Sequence, residues 1–150
     1  MKTILDQTVR QELITRIDKL SSDLSPQWGK MAIYQMIDHM NIWNDWVFGK
    51  NNLPHQQGLF GKVLGKWMLK KDTKDDTPMA KGMPSGKGFV NKEMKKDIDE
   101  LKNKWIDSVR EYESFSEPFF YHDFYGKMTR EQLGIFAYKH MDHHLRQFGV

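Results

Sequence analysis

Apolar residues recur every three or four positions in four stretches of this chain, with polar residues filling the intervals. In the first, about Thr8 to Leu24, the stripe is Val9, Leu13, Ile17, Leu20 and Leu24. Ser25-Pro26 closes it, because Pro26 cannot continue one helix but can open the next. The second stretch runs from about Pro26 or Lys30 to Phe48. Ile33, Met36, Ile37, Met40, Trp43 and Val47 are in register, and Gly49 reads as a C-terminal cap. The third, about Asn91 to Tyr112, carries Met94, Ile98, Leu101, Trp105, Val109 and Tyr112. The fourth opens with the capping box Thr129-Arg130-Glu131-Gln132 and continues through Leu133, Phe136, Ala137, His140, His144 and Phe148. Four long helices with inward stripes and no convincing strand predict an all-α helix bundle, one domain over residues 1–150.

Between the second and third helices the period is lost, which predicts an irregular insertion from Lys50 to Gly88. Leu59, Val63, Trp67 and Met68 nearly share a face, enough for a short helix over Leu59 to Lys70. Asp72 to Gly88 holds Pro78, Gly82, Pro84, Gly86 and Gly88 and reads as an extended loop, either solvated or a lid. The aromatic run from Ser116 to Gly126 reads as a packed connection.

Chemistry concentrates on two of the stripes. His140 and His144 are four apart, so they lie one above the other on a single helical face. His39 faces the apolar side of another helix, three beyond Met36 and four before Trp43. Three neutral imidazoles on two helices predict a metal site with open positions, the arrangement of a catalytic ion. The plain alternative is a set of core histidines satisfied by hydrogen bonds. Burying three imidazoles without a shared job would leave several polar groups unsatisfied. His143 flanks the same stripe, as a substitute for His144, a proton-transfer group or a surface residue. Gln147 and Gln35 stand three and four residues from a candidate ligand and could orient it or a metal-bound water. Asp142 is turned to the opposite face. His55 reads as surface, and His122 as packing within the aromatic turn or as part of a pocket mouth. Imidazoles suit zinc, nickel, iron and copper, with zinc or nickel the expected ion.

Composition removes other classes. There is no cysteine, hence no thiolate nucleophile, disulfide or cysteine-bound zinc. The apolar runs are too short to span a membrane, and the charged N-terminus is no secretory signal, so a cytoplasmic protein is expected. Net charge is +3, and ten lysines against four acids lie between Lys62 and Lys96. With little arginine and no interleaved aromatics, that excess reads as solvated surface, with neither nucleic acid nor a membrane as partner. Gly82-Met83-Pro84-Ser85-Gly86-Lys87-Gly88 misses the phosphate-loop spacing by one residue and follows no strand.

Met36-Ile37-Asp38-His39, His140-Met141-Asp142-His143-His144 and the ending Leu145-Arg146-Gln147-Phe148-Gly149, with Trp28-Gly29-Lys30-Met31 upstream, resemble the DinB/YfiT-like superfamily of metalloenzymes. The similarity is to a branch carried as a domain of unknown function. It implies an up-and-down four-helix bundle holding a divalent metal through His39, His140 and His144. Members include transferases and isomerases that use bacillithiol, mycothiol or glutathione. A metal-dependent transferase or hydrolase acting on a small molecule is thus implied, with His143 and Gln147 as candidate catalytic groups. The alternative is a non-catalytic, metal-binding stress-response protein that forms a homodimer. The His-Pro-Phe-Phe-Gly-like block of the branch is altered or shifted here, into Glu117-Pro118-Phe119-Phe120 and His122-Asp123-Phe124-Tyr125-Gly126.

Overall fold

The four apolar stripes fold as helices, and two further elements join them. The structure, a computed structural model, describes residues 1–83, 85–86, 88–91 and 97–150. Within these residues the order is α1 (Gln7–Asp18), α2 (Ile33–Val47), α3 (Leu59–Asp72), α4 (Ile98–Glu111), a 3-10 turn (Tyr112–Ser114), β1 (Phe119–His122), β2 (Gly126–Thr129) and α5 (Arg130–Gln147). The fold is therefore mixed α and β, with five helices and an antiparallel hairpin. This corrects the prediction of an all-α, four-helix bundle.

The hairpin lies in the aromatic run that had read as a mere connection. Phe120 and Met128 face each other across the ladder and point into the core, while Phe119 and Tyr121 point outward. Alternation of this kind is the signature of a half-buried strand, but four residues are too few to reveal it. The short helix expected over Leu59 to Lys70 is present as α3. Its buried face is Gly61, Gly65 and Leu69, whereas Leu59, Val63 and Trp67 point away from the core. The glycines allow close approach to the hairpin turn: a Cβ on Gly61 would lie 2.5 Å from the Phe124 carbonyl oxygen, and one on Gly65 nearer still. Lys139 Nζ donates to the Asp72 carbonyl at 2.6 Å, and the Tyr125 hydroxyl donates to Asp72 Oδ2 at 2.7 Å, so the C-terminal end of α3 is anchored too.

Caps set the remaining boundaries. Asp6 accepts from the Thr8 amide at the start of α1, and Asp97 from Asp99 and Glu100 at the start of α4. The part of the third stripe that falls on Lys92–Lys96, Met94 included, lies outside the described residues, as do Pro84 and Lys87 of the loop. The Thr129 capping box is formed: Gln132 N–H donates to Thr129 Oγ1 at 3.2 Å and Thr129 N–H to Gln132 Oε1 at 2.9 Å. Gly49, at φ 66°, ends α2. The core joins Leu13 and Ile17 of α1, Met36, Met40 and Trp46 of α2, Trp105 of α4, and Met141 and Leu145 of α5. Asn41 Nδ2 donates to the Leu101 carbonyl at 3.0 Å, stitching α2 to α4.

Gly65→Ala should destabilise the protein by about 1–2 kcal/mol, because overpacking against the Phe124 carbonyl exceeds the helix-propensity gain. Urea unfolding measures it, and an unchanged midpoint would contradict the close approach.

Candidate metal centre

Helical register brings the three histidines together. His39 projects from the middle of α2, and His140 and His144 from the last two turns of α5. One ligand nitrogen from each lies within 4.8 Å of the others, so the cluster could hold a metal ion. The rings meet edge to face, with centroids 5.2 Å apart for His39–His140, 4.9 Å for His39–His144 and 5.0 Å for His140–His144. Trp43 and Phe136 pack on His140 from two sides.

Hydrogen bonds fix two of the tautomers. His39 Nδ1 lies 2.8 Å from the Phe89 carbonyl, which only accepts, so Nδ1 carries the proton and Nε2 offers a lone pair. His144 Nδ1 lies 2.9 Å from Gln147 Oε1. The Gln147 amide is itself oriented, because Nε2 donates to the Trp28 carbonyl at 2.8 Å. His144 Nε2 is therefore also free to accept. The Nε2 atoms of His39 and His140 are 3.2 Å apart. Two nitrogens bound at about 2.0–2.1 Å to one tetrahedral ion stand about 3.3–3.4 Å apart, so the spacing fits a shared cation. His140 Nδ1 is buried without a hydrogen-bond partner among the described residues. An unsatisfied group of this kind costs roughly 1–3 kcal/mol, and ligation at Nε2 would leave it in place.

Burial keeps all three imidazoles neutral, the form that ligates. It lowers the pKa of His39 and pushes that of His140 well below 6.5, where His144 and His39 reinforce it. His144 is pushed down to about 3, by burial first and then by His39.

The cluster opens on a cavity of about 1060 Å³. Trp28, Trp43, Trp46, Phe60, Met68 and Phe136 supply apolar wall, with Gln35, Ser85 and His143 among its polar groups. Gly82, Met83 and Gly86 of the predicted loop line it too. His143 stands outside the three-histidine group, its ring 5.5 Å from Trp28. Gln35 accepts from the Ala32 amide at 3.0 Å and so caps α2 instead of orienting His39. Asp142 turns away and meets Arg16 at 2.8 Å. His55 is exposed, with its ring stacked on Trp46 at 4.7 Å.

His122 also lines the cavity, the pocket-mouth alternative of its two readings. Its Nδ1 accepts from the Phe124 N–H at 3.0 Å and lies 2.9 Å from Asp123 Oδ1. The contact with the carboxylate is the closer of the two. The same contact holds the Asp123 carboxyl below its usual range. No spacing in the chain marks His122, Phe89 or Trp28 as site residues. They reach the site through the hairpin, a loop and the segment before α2.

A family model described as a protein of unknown function (DUF1569) matches residues 2–149. The chain belongs to that family. No curated protein and no solved structure matches it significantly. These comparisons establish the uncharacterised family and provide no link to the DinB/YfiT-like superfamily.

The depressed imidazoles predict a pH dependence. Below about pH 6.5 the unfolded chain binds protons that the folded chain refuses, so metal-free protein should lose stability as pH falls toward 3. The slope is up to about 1.4 kcal/mol per pH unit for each imidazole. His144→Gln should flatten the fall of the thermal midpoint over pH 6.5 to 4. An identical slope in the variant would contradict the burial of a neutral His144.

Proposed function

We propose that this protein is a metal-dependent enzyme acting on a small molecule with a substantial apolar or aromatic body. The observation that carries the reading is the convergence of His39, His140 and His144, two of them with fixed tautomers, at the wall of an open cavity. A bound zinc or nickel ion would supply Lewis acidity, acidifying water or a thiol and polarising an electrophile. The chain's own residues do the rest. Gln147 orients His144 and is a positioning residue. Trp28, Trp43 and Phe136 enclose the substrate's apolar part and exclude water. His122, held beside Asp123, and His143 are polar groups facing the substrate.

The nucleophile is a low-molecular-weight thiol in the transferase form and water in the hydrolase form. A non-catalytic metal-binding protein is the competing reading, favoured by the predominance of apolar wall. The openness of the cavity beside the imidazoles favours an enzyme.

Protein purified without an affinity tag should contain about one divalent ion per chain, and chelation should lower its thermal midpoint. Metal in thousandfold excess over its dissociation constant adds about 4 kcal/mol. His140→Ala should lose the ion, and His143→Ala should keep it. An unchanged stoichiometry in His140→Ala would remove that residue from the ligand set.

Screening the loaded protein with thiols and apolar electrophiles, and with apolar esters and amides, tests the reaction class. His122→Gln should keep the ion and lower kcat, because it changes a polar group that faces the substrate. Full metal occupancy without turnover on any of these classes would favour the non-catalytic reading.

A further inference from the structure

The helix α3 is amphipathic in an unusual sense. Gly61, Gly65 and Leu69 take its inward face, leaving its large apolar side chains in solvent. Leu59 is 83% exposed, Val63 79% and Trp67 64%, and their spacing of four puts them on one face. Phe60, beside them, is 68% exposed. Contiguous apolar surface of this kind on a folded chain marks an interaction site. Its surroundings are cationic: Lys62, Lys66, Lys70 and Lys71 are all exposed, and no acidic residue occurs between Leu59 and Lys71. Lys71 Nζ stands 5.8 Å from the centroid of the Trp67 ring, so charge and apolar surface are adjacent.

We propose that α3 docks on an anionic lipid surface. A helix with Trp, Phe and Leu on one side and lysines beside them seats its apolar side at the acyl boundary and its ammonium groups among the phosphates. A second copy fits less well, because pairing α3 with α3 would face lysines with lysines and offer no carboxylate. Phe60 and Met68 also line the cavity, so the docked face adjoins its opening. The lysine-rich stretch, read from sequence as solvated surface, thereby gains a partner.

Flotation of the full-length protein with vesicles tests this independently of metal or turnover. Vesicles of phosphatidylcholine and phosphatidylglycerol in equal parts should bind at least about tenfold more protein at low salt than phosphatidylcholine alone. Added salt should reduce the difference. Val63→Glu with Trp67→Glu should abolish binding without moving the thermal midpoint, and Lys62→Gln with Lys70→Gln should weaken it at least threefold. Equal binding to both vesicles, or binding that survives the Glu pair, would overturn the proposal. So would absence of binding together with a dimer, seen by sedimentation, that the Glu pair disperses.

Discussion

Three imidazoles cannot be placed side by side in a protein interior without an account of their six nitrogens. Two of those nitrogens are tied down by acceptors, the Phe89 carbonyl and the Gln147 amide oxygen. The other nitrogen of His39 and of His144 then has a lone pair to offer, and His140 joins them from one helical turn away. Much of the surrounding structure serves this arrangement. The segment before α2 folds back to present the Trp28 carbonyl to Gln147, and the Gln27 amide donates to the Gln147 carbonyl at 2.7 Å. The loop that follows α3 is drawn in by Asn91, which donates to Asp38 and accepts from Gln35. That anchoring places Phe89 over His39.

The legible parts of this design were those written in a local period. The spacing of four between His140 and His144, and the phase of His39 within its own stripe, follow from helical geometry alone, so the cluster is legible in the sequence. The capping box at Thr129 was equally local. What escaped was written in contacts between distant segments. The α3 stripe of Leu59, Val63 and Trp67 was seen, but periodicity says only that a face exists. Which face turns inward was decided by two glycines that let the helix approach the Phe124 carbonyl. The hairpin was missed because its strands are too short to show alternation against a uniformly aromatic background.

The same limit applies to the site. Gln147 was recognised as a residue able to orient a histidine, because it lies on the same helix. His122 shares no element with the ligand set, and its place in the cavity comes from the hairpin, which α3 and α5 hold between them. Its dyad with Asp123 is a property of two adjacent residues whose meaning depends on where a turn points.

The bond from His39 to Phe89 has a wider consequence. A helix holds His39, but a loop chooses its tautomer. When Phe89 is in place, the lone pair at Nε2 faces the other two imidazoles. When it is not, the ring is free to put its proton at either nitrogen. If an ion binds the cluster, the position of Phe89 and the ligating form of His39 are linked, and whatever favours one favours the other by the same factor.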